Sequence, residues 1–176
     1  GLGDVYKRQG KRYTFRDIDL DSQAFGAYLQ GLGLSKGDRV AVMLPNVPQY
    51  PVAVMGILRA GLVVVNVNPL YTPRELAHQL KDSGAKAILI LENFATTLQQ
   101  VIGETAVQHV MLAAMGDTLG LLKGAIVNHV VRKVKKMVPA FSLPHAVPYK
   151  QVLARGRSLK LQPAQPTHDL SLIHIS

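Results

Sequence analysis

Residues 37–84 read GDRVAVMLPNVPQYPVAVMGILRAGLVVVNVNPLYTPRELAHQLKDSG, and the order of patterns inside this stretch decides the fold. Arg39 to Leu44 is apolar after its first residue, and Leu62 to Val67 is a second such run, rich in β-branched residues and interrupted only by Asn66. Runs of this kind, without the alternation of a half-exposed strand, are strands buried on both faces. Between them Pro48 to Ala60 has helical spacing and Gly61 closes it. Thr72, Pro73 and Glu75 then supply a hydroxyl cap, a proline at the first helical position and a carboxylate that reaches back to the cap, and Gly84 stops the helix they start.

The same alternation continues outward on both sides. Downstream, Ala87 to Leu91 is a third buried strand, Phe94 to Glu104 a helix and Val110 to Ala113 a fourth, short strand. Upstream, Thr14 and Asp17 open a helix whose Ile18, Phe25, Tyr28, Leu29 and Leu32 recur at helical spacing until Gly31 and Gly33 end it. Strands and helices in strict alternation predict an α/β domain with a mostly parallel sheet and helices on both faces. Beyond Met115 the alternation is expected to lapse. Leu119 to Val138 reads as one helix, and the tail punctuated by Pro144, Pro148, Pro163 and Pro166 reads as a covering segment and linker.

Both ends carry a signature of their own. GLGDVYKRQ, residues 1–9, can be encoded by GGG CTC GGA GAT GTG TAT AAG AGA CAG, which resembles a transposase adapter, and LSLIHI at 170–175 can be encoded by the reverse complement of its last six codons. A native basic N-terminus and a short apolar C-terminal strand would account for the residues but not for the paired match. The expectation is therefore that 1–9 and 170–176 are adapter-derived and that 10–169 is native sequence cut at both sides by the limits of a sequencing insert.

A composition that is 48% hydrophobic in 176 residues supports one globular core. The absence of cysteine excludes disulfide frameworks and thiolate metal sites. No apolar run reaches the length of a membrane span, which leads to the expectation of a cytoplasmic protein. The net charge of +9 is concentrated rather than general. Thr118 to His168 holds nine basic residues and no Asp or Glu, whereas Gly10 to Asp117 holds nine of each sign. Nucleic-acid binding by that basic segment is not expected, because Phe141 and Tyr149 are its only aromatic residues and stacking platforms are scarce.

An α/β fold prompts a search for a phosphate-binding glycine loop between strand and helix. Gly31, Gly33 and Gly37 follow a helix and precede a strand, the wrong order. His78, His109, His129, His145 and His168 lack the short spacing that puts two metal ligands on one helix face. Asp17, Asp19, Asp21, Glu75, Asp82 and Glu92 read as caps and solvated faces. From the residues alone, no catalytic, cofactor-binding or metal-binding residue is assigned.

The 37–84 stretch also resembles, nearly position by position, the early part of the AMP-forming acyl-CoA synthetase, adenylation-domain and luciferase superfamily. Asp38, Arg39, Pro45, Asn46, Gly61, Asn68, Pro69, Tyr71, Thr72, Glu75 and Leu76 fit its pattern, and NVNPLYTPREL, AVQHV followed by MGD, and VVRKVKKMVP look most like bacterial long-chain fatty acyl-CoA synthetases. The resemblance implies an incomplete N-terminal part of the large domain of an adenylate-forming enzyme, truncated before the Thr/Ser/Gly-rich phosphate loop. It implies a ligase that joins a fatty acid to CoA with ATP and Mg2+ through an acyl-adenylate, none of these being expected to bind the fragment itself. A medium-chain or aryl acid ligase is the alternative within the superfamily, and a non-enzymatic basic α/β module the alternative outside it.

The basic segment yields the one candidate contact surface. At 100° per residue Ile126, Val127, Val130, Val131, Val134, Met137 and Val138 share one side, and Asn128, His129, Arg132, Lys133, Lys135 and Lys136 the other. Two accounts fit: a helix packed on the domain with its basic face in solvent, or a helix at an anionic membrane surface contacted by Arg132, Lys133, Lys135 and Lys136. The second places the enzyme at the inner face of the cytoplasmic membrane, where a fatty acid substrate partitions.

Overall fold

The computed structural model describes residues 13–163 and the backbone of 173–175. In chain order these are α1 (Phe15–Gln30), β1 (Arg39–Met43), α2 (Gln49–Arg59), β2 (Val63–Asn66), α3 (Pro73–Ser83), β3 (Ala87–Leu91), α4 (Ala95–Val101), β4 (His109–Ala113), α5 (Leu121–His129), β5 (Val147–Pro148), α6 (Tyr149–Arg157) and β6 (Ile173–Ile175). Short 3-10 turns at Glu92–Phe94 and Ile102–Glu104 flank α4, and a π turn at Val130–Val134 continues α5. The sheet runs β5-β4-β3-β1-β2-β6 and every pairing in it is parallel.

The distribution of helices follows from handedness. Crossovers between parallel strands are right-handed, so a connection moving one way across the sheet lies on one face and a connection moving back lies on the other. β1 to β2 runs outward over α2, and β2 to β3 returns past β1 over α3. Val40 and Val42 accordingly pack with Phe25 and Leu29 of α1, Val52, Ala53 and Ile57 of α2, and Val152 and Leu153 of α6. Ala41 and Met43 pack on the opposite face with Leu76 and Leu80 of α3 and Leu98 and Val101 of α4. Val40 to Met43 of β1 and Ile88 to Ile90 of β3 are thus each packed on one or the other helix layer, as their apolar runs require.

Local signals set most boundaries. Thr14 accepts the Asp17 N–H while the Asp17 carboxylate accepts the Thr14 N–H, and Thr72 and Glu75 repeat the arrangement at α3, where Gly84 ends the helix in left-handed conformation. On the α1 face small residues allow close approach. A Cβ at Gly156 would sit 1.9 Å from the Ala24 carbonyl oxygen and one at Gly26 2.8 Å from the Gly56 oxygen, so α6 and α2 both lie directly against α1.

Two expectations beyond Met115 are corrected. The helix expected over Leu119–Val138 is α5 plus a π turn, and Lys136 at φ 51° leaves the helical region and ends it. The tail is not only a covering linker: β5 pairs with β4 and α6 packs on α1, through Tyr149, Val152, Leu153 and Gly156 spaced as one helical face behind Pro148. At the C-terminus the backbone of Ile173–Ile175 pairs with β2, with Ile175 opposite Asn66. An open parallel edge accepts any β-prone run, so this pairing is independent of whether the residues are native or adapter-derived. Residues 1–9 lie outside the described residues, as does His168.

Thr72→Ala should lower the stability of this chain by about 1 kcal/mol, read from its urea unfolding midpoint, because the Glu75 N–H loses its acceptor. An unchanged midpoint would mean that α3 does not depend on the cap.

Candidate functional site

In open α/β sheets ligands bind outside the carboxyl ends of the strands where the strand order reverses. Here the order reverses between β1 and β3. The interior strands are apolar on both faces, so polar side chains collect at this edge, in the turns that follow β1, β3 and β4. Gln49, Glu92 and Thr118 are buried there, and Asp117 is partly buried.

The cluster is held by a connected set of hydrogen bonds. Gln49 Nε2 donates to the Ala114 carbonyl at 2.9 Å, and the Ala114 N–H donates to Asp117 Oδ2 at 2.7 Å. The Gly116 N–H donates to Asn128 Oδ1 at 2.7 Å, which ties α5 to the same loop. Gly116 and Gly124 face each other so closely that a Cβ on either would lie 2.4 Å from the other's carbonyl oxygen. Farther along, Arg132 Nε and an Arg132 terminal nitrogen donate to the two Glu92 oxygens at 2.7 and 2.9 Å. The buried oxygens Gln49 Oε1 and Asn93 Oδ1 accept no hydrogen bond from the described residues.

The electrostatics separate the two carboxylates. Both Glu92 oxygens accept from one guanidinium, and this pairing raises Arg132 further above its already high range. Burial pushes Asp117 up from 3.8 to about 6, against the opposing pull of the Ala114 N–H, Gln49 and Lys150, with Glu92 adding to the rise. Asp117 also lines a groove of about 480 Å³ with Tyr13, Asp21, Tyr149, Lys150 and Arg157. In that groove Asp21 accepts from the Tyr13 hydroxyl and from Arg157, and burial raises both the Tyr13 and the Tyr149 phenols.

Such an arrangement can anchor a loop and orient a neighbouring group. Among the described residues it brings together no three His, Asp or Glu side chains that could hold a metal ion. The turns after β1 and β2 are Leu44-Pro45-Asn46-Val47 and Val67-Asn68-Pro69, without the consecutive glycines of a phosphate cradle. Asn68 and Pro69 act locally: Asn68 Oδ1 accepts the Leu70 N–H and turns the chain toward α3.

The residues singled out from sequence divide. Lys133, Lys135 and Lys136 are exposed and form no ion pair among the described residues, whereas Arg132 is committed to Glu92. Glu92, read as a solvated carboxylate, is buried. Asn128, placed on the polar side, instead faces inward, and Ile126, Val134 and Met137, placed on the packed side, are exposed. Sequence reasoning missed Gln49 and Asp117. The available signal was position, since Glu92 and Asp117 are the acids that follow β3 and β4 at the sheet's carboxyl edge.

Two outcomes test this geometry. Arg132→Gln should destabilise the chain by about 2 kcal/mol, since it strands a buried carboxylate, while Lys133→Gln in solvent should leave it nearly unchanged; equal effects would mean that Glu92 is solvated. Asp117 binds its proton more tightly folded than unfolded, so its contribution is complete below pH 4 and is lost as pH rises through about 6. Relative to Asp117→Asn, the wild type should therefore lose up to about 3 kcal/mol of unfolding free energy between acid and neutral pH. Parallel pH profiles for the two proteins would show that the carboxyl is not buried.

The AMP-binding enzyme family model matches residues 4–171. The chain is 54% identical over 171 residues to a long-chain-fatty-acid--CoA ligase of Escherichia coli O6:H1, covering 96% of this chain and 30% of that protein. It is 55% identical over 154 residues to the enzyme of that name from Haemophilus influenzae, covering 87% of this chain and 27% of the relative. A 4-coumarate:CoA ligase from Petunia hybrida is 39% identical over 77 residues, 44% of this chain and 14% of that protein. Among solved structures, a long-chain-fatty-acid-CoA ligase from Archaeoglobus fulgidus superposes with a TM-score of 0.65 at 19% identity, over 92% of this chain and 27% of that one. The chain thus spans about a third of the length of the curated relatives it matches. With a parallel sheet that superposes on these enzymes and a family match over nearly its whole length, the chain belongs to the AMP-binding enzyme family.

Proposed function

We propose that this chain is the N-terminal part of the large domain of a long-chain fatty acid:CoA ligase. The observation that carries the reading is that identity to the bacterial long-chain ligases extends over nearly the whole chain, whereas the match to the aryl acid ligase covers less than half of it. The overall reaction has two transfers. A fatty acid carboxylate attacks the α-phosphate of ATP, releasing diphosphate and forming acyl-adenylate; the CoA thiol then attacks the acyl carbon, and AMP leaves.

The residues present do not fit ATP or Mg2+ by themselves. Among the described residues there is no acidic cluster for a cation, and the turns at the carboxyl edge after β1 and β2 lack a glycine-rich cradle. Neither transfer is therefore assigned to a residue of this chain. Its contribution is the sheet, and an edge at which Gln49, Glu92, Asp117 and Arg132 fix the loops against which the remainder of the enzyme is built. No helix among the described residues is long and apolar enough to cross a membrane. The proposal for location is a cytoplasmic enzyme associated peripherally with the inner face of the cytoplasmic membrane, where long-chain fatty acids concentrate.

The full-length enzyme should form acyl-CoA from a long-chain fatty acid, with ATP, Mg2+ and CoA all required, and should turn over aryl acids far more slowly. The 176-residue chain alone should form none and should show no saturable ATP binding by calorimetry. Preference of the full-length enzyme for an aryl acid would overturn the substrate class, and ATP-dependent acyl-CoA formation by the chain alone would overturn the placing of the phosphate loop outside it.

A further inference from the structure

The segment from Leu121 to Met137 is attached to the domain differently from the other helices. In α1, α2 and α3 a full apolar face is buried, whereas in α5 and its π turn only Gly124 and Val131 are buried. Two polar clips do the rest, Asn128 on the Gly116 N–H and Arg132 on Glu92. Gly124 and Val131 are seven residues apart and mark the inward side. Leu122 and Ile126, four apart within α5, fall on the side away from Gly124, and Lys133, in the π turn, is exposed as well.

The exposed surface of the segment is apolar at its start and cationic at its end. Leu121 is 88% exposed, Leu122 76%, Ile126 55% and Val134 67%. Lys133, Lys135 and Lys136 follow, exposed and without ion pairs among the described residues, and no Asp or Glu occurs from Thr118 to His168. Exposed apolar side chains beside lysines, with no compensating acid, complement a surface with an apolar interior and an anionic rim. A bilayer containing anionic lipid has both features within a few ångströms of depth. Burial of this side against the rest of the same enzyme is disfavoured by its composition, since lysine is depleted from the cores of protein interfaces.

We propose that α5 and its π turn are a docking surface for an anionic membrane, with Leu121, Leu122 and Ile126 entering the interfacial layer and Lys133, Lys135 and Lys136 against the headgroups. This rests on the peripheral location proposed above and specifies the surface responsible for it. Arg132 is not part of the contact: with Glu92 it is a positioning residue that fixes which side of the segment faces out.

The test uses the full-length enzyme with phosphatidylcholine vesicles, with and without phosphatidylglycerol, in a sedimentation assay at low and high salt. Each headgroup-proximal lysine contributes about fivefold to partitioning, so K133Q/K135Q/K136Q should bind the anionic vesicles about a hundredfold more weakly and lose the salt dependence. L121S/L122S/I126S should bind more weakly at both salt concentrations. Acyl-CoA formation from detergent-dispersed fatty acid, and the thermal midpoint, should be unchanged in both variants. Binding of the wild type that is insensitive to phosphatidylglycerol, binding by either variant equal to wild type, or an active enzyme that does not sediment would each overturn the surface. So would a marked loss of thermal stability in the lysine variant, which would place these side chains in an intramolecular interface. Failure of the detergent assay in the wild type would instead overturn the proposed activity and leave the vesicle result to be read by itself.

Discussion

The rest of the structure depends on the burial of both faces of the central strands. Val40, Ala41, Val42 and Met43 are each no more than 1% exposed, and Ile88, Leu89 and Ile90 beside them are wholly buried. Strands with no polar face cannot border solvent, so helices must cover both sides, and right-handed crossovers decide which helix covers which. At about 25 cal/mol per Å² of apolar surface, burial of these positions dominates the favourable side of folding, and capping hydrogen bonds worth about 1 kcal/mol only choose where each helix begins.

The same constraint determines where polar groups go. A polar side chain inside such a sheet would be left without partners, so Gln49, Glu92 and Asp117 stand where strands end and backbone groups become available. They are used there as fasteners. Asp117 turns the loop after β4 on the Ala114 N–H, and Glu92 receives a guanidinium from forty residues later in the chain. The arrangement shows how the polar groups of this edge are used to hold loops: Glu92 is paired with Arg132, and Asp117 accepts the Ala114 N–H.

Much of the fold was legible in the sequence because its signals are local. The runs at Arg39–Leu44 and Ala87–Leu91 differ from the observed strands by no more than a residue at an end, and the hydroxyl, proline and carboxylate at 72–75 form the capping box they imply. What escaped notice depends on pairing across distance. β5 is two residues long and includes Pro148, so it has no periodicity to detect and exists because β4 offers an edge. The bidentate partner of Glu92 lies on a segment whose charges looked uniformly solvated when counted along the chain. The family was legible in the motifs of 37–84 and is borne out by the family match over residues 4–171, although composition and periodicity alone do not reach it.

The wheel drawn for the basic helix shows why an even period misleads. A fixed 100° per residue gathers Ile126, Val130, Val134 and Met137 on one side and implies that this side is packed. The wider turn at Val130–Val134 advances each residue by a smaller angle, and Lys136 ends the segment before Met137 can continue it. Even before that turn the packed side is chosen by size rather than by hydrophobicity. Gly124 permits its backbone to meet that of Gly116, which brings Asn128 inward to the Gly116 N–H and leaves Leu122 and Ile126 outside. Close backbone approach at one glycine pair therefore decides which face of the helix the protein shows to its surroundings.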